Sequence, residues 1–254
     1  MRIFVYFLIG LFLFSNPDLA GKKIRGYDIV SQDKNENITL YGKKTNGLYR
    51  GFKIDFKGEI YTKPFWISEI SPSFPPQIFY SDINTDEKEE LAITLTKGHG
   101  TGVLIEDVHV FHTIDNGLCE VIVDNPLAII NKSVKTKLSN QEAEIQIEKR
   151  KYKVDLLLFG VNPENLFEDI SFGSIIDYEV MNHNLMVKVT GQISPAMFIG
   201  DIIITYEYLA KLYQAKSIEF ITDIDKNPFY GPVTQEEIFN PGKNKERTTH
   251  FRFL

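Results

Sequence analysis

Short stretches in which apolar and polar residues alternate, separated by turn residues, dominate the chain between residues 37 and 222. Residues 52–56, 91–96 and 185–189 are examples, each with an apolar side chain at every second position. A period of two places those side chains on one face of a strand. The pattern predicts a mostly β (α+β) domain over residues 37–222, with antiparallel hairpins in one or two packed sheets.

One segment departs from this period. Asn125 and Pro126 form a helix-start signal, a polar cap followed by proline at the first helical position. Leu127, Ile130, Val134 and Leu138 then recur at spacings of three and four, which predicts one central amphipathic helix. A division into two subdomains, residues 37–140 and 141–222, is left open by the pattern, and residues 223–254 are predicted to be a C-terminal tail or surface excursion.

The N-terminal residues have the pattern of an export signal. Arg2 precedes twelve uncharged residues, 3–14, which is shorter than the roughly 20 needed for a spanning helix and within the range of a signal-peptide core. Residues 1–20 are therefore predicted to be a signal peptide, which implies a secreted or cell-surface protein. An uncleaved anchor is the alternative, and no further membrane span is expected.

Composition and charge exclude some partners. The chain has a net charge of −6 and no long basic cluster, so a nucleic-acid partner is not expected. Its single cysteine, Cys119, excludes an intramolecular disulfide and is expected to be a small half-buried packing residue. The oligomeric state is not indicated.

One loop carries residues suited to cation binding. Its alternate positions are Asp82, Asn84, Asp86, Lys88 and Glu90. Calcium prefers six to eight oxygen ligands, and such a loop offers carboxylates, an amide oxygen and the Lys88 carbonyl. Glu87 stands at position six, where a sharp turn with positive φ is needed, at a cost of about 1 kcal/mol for a non-glycine residue. The alternative is a solvated acidic turn whose side chains bond the local backbone.

Two further features contain residue types that are found in functional sites. Residues 98–102 are rich in glycine, but a β-patterned run follows them, where a phosphate-binding loop needs a helix, so they are predicted to shape a wide hairpin connection. His99 or His112 with Asp107 would supply the His and carboxylate pair of a cell-envelope hydrolase, which is the alternative function.

The acidic loop also resembles a known type of repeat. Residues 82–91 are similar to the calcium loop of FG-GAP/VCBS-type repeats, which form blades of extracellular propellers that bind cells, proteins or carbohydrate. Residues 76–78, 96–103, 106–110, 125–126 and 198–201 resemble uncharacterised exported proteins of bacillus-type Gram-positive bacteria. These resemblances imply an exported, non-enzymatic cell-surface or envelope-associated binding module with a structural calcium ion. Its envelope or extracellular partner is unknown.

Overall fold

The structure is a computed structural model that describes residues 23–115 and 117–222, together with the backbone of a strand at 234–237. It is mostly β with one α-helix, as the sequence pattern predicts. The predicted signal peptide and most of the predicted C-terminal tail lie outside the described residues. Within the described residues, no helix is both long and apolar enough to cross a membrane.

Four antiparallel strands form what we call the N-terminal sheet, in the order β1-β2-β3-β4. The strands are β1 (Asp28–Asp33), β2 (Ile38–Thr45), β3 (Leu48–Phe56) and β4 (Glu59–Glu69). Lys57 and Gly58 take positive φ in the turn between β3 and β4, which is the hairpin turn that the sequence indicates. Pro64 lies in β4, an edge strand, where a missing backbone N–H is tolerated.

Eight strands form the central sheet, in the order β12-β13-β14-β15-β8-β7-β6-β5. The strands are β5 (Gln77–Ser81), β6 (Glu90–Gly100), β7 (Val103–Ile114), β8 (Gly117–Val123), β12 (Ser171–Met181), β13 (Asn184–Ser194), β14 (Met197–Leu209) and β15 (Leu212–Ile221). Most neighbours are antiparallel, but β12 pairs with β7 and β15 pairs with β8 in parallel. The prediction contained only antiparallel hairpins, and these two long-range pairings are an addition to it.

The two parallel pairings close the central sheet on itself. Strand β6 pairs along nearly the whole of β7, so the other partners of β7 share its opposite edge. Strand β8 occupies the 110–114 end of that edge, and β12 occupies positions 104–105. Strands β7, β8, β15, β14, β13 and β12 therefore form a ring of pairings, outside which the β5–β6 pair extends.

A third, small sheet has the order β16-β11-β10-β9. The strands are β9 (Val134–Leu138), β10 (Glu142–Ile147), β11 (Arg150–Asp155) and β16 (Thr234–Glu237). Two short 3-10 helices, Leu156–Phe159 and Pro163–Asn165, lead from it to β12. Strand β16 comes from the region predicted to be the C-terminal tail.

The α-helix of the described residues, α1 (Pro126–Ser133), begins where the sequence predicts, with Asn125 as its cap. The Asn125 side chain accepts hydrogen bonds from the N–H groups of Leu127 and Ala128. The predicted extension of the helical stripe to Leu138 is wrong, because Val134 is extended and begins β9. Only Val134 and Leu138 continue the helical spacing beyond Ser133. Their segment instead pairs with the alternating strand β10, and this pairing decides its conformation.

Strand β6 is the common wall of two hydrophobic cores. Seven consecutive residues, Glu90 to Thr96, are buried. Leu91, Ile93 and Leu95 pack with the N-terminal sheet, whereas Ala92 packs with the larger core that the ring, the small sheet and α1 enclose. Strand β7 behaves in the same way, since Phe111 belongs to the first core and Val110 to the second.

The turn between these two strands contains the glycines. Strand β6 ends at Gly100 and β7 begins at Val103, so the glycines shape a hairpin, as predicted, but the turn is tight and the expected wide connection is wrong. Gly102 has φ +69, and an added Cβ there would lie 3.2 Å from Cζ of Phe198. A β-bulge lies on β6, between Thr96 and Gly98. Glu106 consequently stays in the inward alternation with Val108 and Val110.

Replacing Ile93 by alanine tests the common wall. We expect Ile93→Ala to lower the free energy of unfolding by about 2–5 kcal/mol, because a fully buried side chain leaves a cavity. Ile122→Ala is the matched control, since Ile122 is 73% exposed, and its expected change is within about 0.5 kcal/mol. Urea denaturation of both variants makes the measurement, and equal losses would contradict the account.

Candidate functional site

The acidic loop connects β5 to β6, and its polar side chains bond its own backbone. The Asp82 carboxylate accepts the N–H groups of Asp86 (3.2 Å) and Glu87 (3.0 Å). Asn84 Oδ1 also accepts the N–H of Asp86 (2.9 Å), and Asp86 Oδ1 accepts that of Lys88 (3.0 Å). Three of the five predicted ligands therefore direct oxygens at one stretch of backbone, residues 86–88.

The loop backbone is tightly curled. Thr85 (φ 62) and Glu87 (φ 68) are both in the left-handed region that favours glycine. Each costs about 1 kcal/mol or more, which the side-chain bonds to the backbone offset. Position six of the loop thus has the positive φ that a calcium loop requires, although Glu87 is not a glycine.

Glu90 lies on the buried side of the loop. It is 1% exposed, and its two oxygens accept the Ile83 N–H (3.0 Å) and the Asn84 side-chain amide (3.1 Å). Burial raises the pKa of Glu90 to about 7, and the nearby carboxylates of Asp86 and Asp82 add to the shift. Glu90, the first residue of β6, therefore ties the loop to the common wall.

The predicted ligand set is only partly assembled. Asp82, Asn84 and Asp86 accept hydrogen bonds from the backbone of residues 86–88, whereas Glu90 accepts them from Ile83 and the Asn84 side chain, and Lys88 contributes its N–H to Asp86. Within the described part of the chain, no group of three or more His, Cys, Asp and Glu residues is arranged to hold a metal ion. The available donors are thus two carboxylates, one amide oxygen and backbone carbonyls.

A buried tyrosine lies behind the loop. The Tyr213 hydroxyl lies close to the Asn84 side chain and 3.3 Å from Nε2 of His112, and both of these neighbours are half-buried. Burial raises the pKa of Tyr213 and lowers the pKa of His112, so both side chains favour the neutral form. Tyr213 lies on β15, far from the loop in sequence, and no local sequence signal points to this contact.

An open cleft of about 890 Å³ runs beside the acidic loop. One side is formed by Asp82 and residues 87–89 of the loop, and the other elements contribute Lys57, Tyr80, Ile114 and His183. Nδ1 of His183 lies 3.1 Å from the Asp82 carbonyl oxygen, so the β12–β13 turn touches the loop directly. The sequence identifies residues 182–184 as a turn but does not indicate that it reaches the loop.

Lys57 and Tyr80 form a fixed pair at the edge of the cleft. Nζ of Lys57 donates to the Tyr80 hydroxyl at 3.0 Å and lies 4.7 Å from the centre of the Tyr80 ring. The hydrogen bond to Tyr80 is the main cause of the raised pKa of Lys57. The cleft therefore presents an ammonium group and an aromatic ring opposite the loop carboxylates.

The His and carboxylate pairs that a hydrolase would use are arranged differently from the expectation. His99 lies 3.5 Å from Glu69, and His112 contacts Tyr213. Asp107 lies 3.7 Å from His109 and 3.8 Å from Lys97, so the structure does not pair it with His99 or His112. His109 and His112 point to opposite faces of β7, as their spacing predicts.

His109 belongs to a contact between sheets. Its ring stacks on Trp66 of the N-terminal sheet with 3.8 Å between ring centres, and Nδ1 lies 2.9 Å from Glu120. Lys63 reaches the same carboxylate at 2.7 Å. These bonds, first that to His109, lower the pKa of Glu120 to about 2. Among the described residues, no hydroxyl or thiol is hydrogen-bonded to His109. Through Trp66 and Lys63 the cluster joins the N-terminal sheet to β7 and β8.

Cys119 is exposed on β8, and the expectation of a half-buried packing residue is wrong. It lies opposite His112 in the β7–β8 pair.

Comparison of the chain with family models, with curated proteins and with solved structures found no match. The resemblances to FG-GAP/VCBS-type loops and to exported bacillus-type proteins therefore stay predictions.

Glu106 on β7 is the other buried carboxylate of the β6–β7 hairpin, and its burial leads to a prediction about pH. Glu106 is 6% exposed and accepts the Tyr178 N–H at 2.9 Å. Burial raises its pKa to about 7. The Glu106 carboxyl group of the folded protein therefore stays protonated up to a pH near 7, whereas in the unfolded chain it loses its proton near pH 4.3. Stability must fall as the pH rises through this interval and level off above it.

We expect Glu106→Gln to reduce that fall by an amount on the order of 2 kcal/mol between pH 5 and pH 8. The neutral amide oxygen can still accept the Tyr178 N–H. Urea denaturation at both pH values makes the measurement, with Glu164→Gln on an exposed turn as the control that keeps the wild-type dependence. A Glu106→Gln curve as steep as the wild-type curve would contradict this assignment.

Proposed function

We propose that the protein is an exported, non-enzymatic binding module of the cell surface or envelope, and that the acidic loop binds calcium beside its ligand cleft. The observation that carries the proposal is the cleft of about 890 Å³, at which the loop meets side chains from other strands and turns. A concave surface with a few convergent polar groups is the usual form of a binding site.

The loop supports the calcium part of the proposal. Asp82, Asn84 and Asp86 offer hard oxygen ligands, and calcium accepts mixed sets that include carbonyl oxygens and water. The left-handed φ of Glu87 means that the backbone is already curled around this position. Lys88 would contribute its carbonyl oxygen. Glu90, also predicted as a ligand, would hold the loop from its buried side through Asn84.

A bound cation would also relieve an electrostatic cost. The negative charges of Asp82 and Asp86 contribute to the raised pKa of Glu90. A divalent cation between those carboxylates would offset this repulsion and stabilise the loop that forms one side of the cleft. Calcium would in this way act as a structural clamp and would shape the surface that a ligand meets.

The export part of the proposal rests on residues 3–14, whose uncharged run has the length of a signal-peptide core. Loops that bind calcium weakly can function outside cells, since extracellular modules bind calcium with dissociation constants of about 0.1–1 mM. A loop with two carboxylates and an amide oxygen belongs in that weak class.

Thermal melting with calcium and with chelator tests the proposal. At 1 mM calcium and a dissociation constant of about 0.1 mM, we expect the midpoint to rise by about 3–6 °C. Asp82→Asn should abolish most of the rise, because a carboxylate ligand is lost. No shift at millimolar calcium would refute the cation site.

Asp155→Asn is the matched control. Asp155 accepts the Leu157 N–H at 2.9 Å, in the same local bond that Asp86 makes with Lys88, but it lies outside the acidic loop. It should lower the melting midpoint without changing the calcium response. If the response falls equally in Asp82→Asn and Asp155→Asn, the effect is one of turn stability and the calcium assignment is wrong.

A further inference from the structure

A second surface, distant in sequence from the acidic loop, carries an excess of positive charge. It is a groove of about 480 Å³ between the first described residues and β2. Four cationic side chains line it, against the single carboxylate of Asp28. They are Lys23, Arg25, Lys43 and Lys44, and we call them the basic edge.

The charges of the basic edge are not compensated within the fold. All four side chains are exposed, and none of them takes part in an ion pair among the described residues. Lys43 also lies directly opposite Arg50 across the β2–β3 pair. Like charges at directly opposite positions destabilise a sheet, so the fold itself gains nothing from this arrangement.

The basic edge stands out against the rest of the molecule. The whole chain has a net charge of −6, so the remainder is more acidic still. An anionic surface would attract this edge and repel the acidic remainder, which would orient the domain as well as hold it. Ile29, 49% exposed on β1, and the half-buried Tyr27 add apolar and aromatic groups beside the cations.

The position of the edge in the chain indicates which anionic surface it meets. Lys23 follows the uncharged run of residues 3–14 after only eight residues, a distance of at most about 32 Å when fully extended. A signal peptide lies in the membrane until it is cleaved, and an uncleaved anchor stays there, so either one brings the basic edge within reach of lipid headgroups. Clusters of Lys and Arg next to such a segment bind anionic lipid.

We propose that the basic edge docks the domain onto an anionic lipid bilayer. The inference rests on the export part of the proposed function and is independent of calcium binding. The cations would lie against phosphate headgroups, with Tyr27 and Ile29 at the interface, where amphipathic rings are favoured. The cleft beside the acidic loop would then be available to a ligand while the domain is held at the membrane.

Co-sedimentation of the full chain with lipid vesicles tests this inference, with vesicles of phosphatidylcholine alone and vesicles containing phosphatidylglycerol. Residues 3–14 are uncharged, so their contribution to vesicle binding does not depend on headgroup charge. The difference between the two kinds of vesicle therefore measures the electrostatic contribution alone. We expect at least tenfold stronger partitioning onto the anionic vesicles at 0.1 M salt, and most of this preference should disappear at 0.5 M salt.

The double variant Lys43→Gln/Lys44→Gln should weaken partitioning onto anionic vesicles by about 25-fold, at roughly fivefold for each charge. Lys135→Gln/Lys137→Gln is the matched control, because it removes two exposed lysines from a single strand of the small sheet. Its effect should be below about twofold. The first double variant should melt at the wild-type temperature or above it, since the repulsion between Lys43 and Arg50 is removed.

Three outcomes would overturn the inference. The first is equal binding to neutral and anionic vesicles, and the second is an equal loss in both double variants. The third is strong, Lys43- and Lys44-dependent binding of soluble polyphosphate without binding to anionic vesicles, which would identify a polyanion and not a bilayer as the partner. A calcium response retained alongside any of these would leave the cation site intact.

Discussion

The structure depends on one hairpin that is buried on both of its faces. Leu91 and Ile93 of β6 face the core under the N-terminal sheet, while Ala92 and, on β7, Val110 face the larger core inside the ring. Burying a Leu or Ile side chain contributes about 1.5–3 kcal/mol, so a few such positions match the whole net stability of an ordinary domain. Because each strand serves both cores, a change in its register would expose both sets of apolar side chains.

The same hairpin also carries two buried carboxylates, although glutamate side chains are seldom buried in a protein core. Glu90 opens β6 and holds the acidic loop, and Glu106 on β7 accepts a backbone N–H from β12. Both have their pKa raised to about 7 by burial, so each reduces stability at neutral pH relative to acid. In exchange, each fixes a junction: Glu90 positions the loop against the wall, and Glu106 bonds β12 close to the place where the ring closes. The cleft and the cores are therefore built from the same residues.

The sequence alone carries much of the fold but little of the site. Strand β6 is identifiable because Leu91, Ile93 and Leu95 alternate with smaller residues. The turns at Lys57–Gly58 and Asn182–His183 are identifiable from their residue types alone. The helical stripe fails after Ser133, since Val134 and Leu138 fit an alternating strand equally well and only the pairing with β10 decides between them. Cys119 is misjudged for a similar reason, because an apolar run does not tell which face of β8 is covered.

Long-range contacts decide the site, and these leave no local signature. The acidic loop is visible in the sequence through the spacing of Asp82, Asn84 and Asp86, and its positive φ at Glu87 is the conformation that such a loop needs. The approach of His183 and the buried contact with Tyr213 are both invisible, since each joins segments roughly a hundred residues apart. The ring closure through β12 and β15 is what brings those segments to the loop.

Native-state hydrogen exchange tests the central role of the β6–β7 hairpin most directly. Because the hairpin completes both cores, its amides should open only when the surrounding structure opens. The account predicts that amides of residues 91–96 and 108–111 exchange no faster than those of β3 on one side and β13 on the other, at the free energy of global unfolding. Exchange of the hairpin at a clearly lower free energy than both β3 and β13 would contradict it.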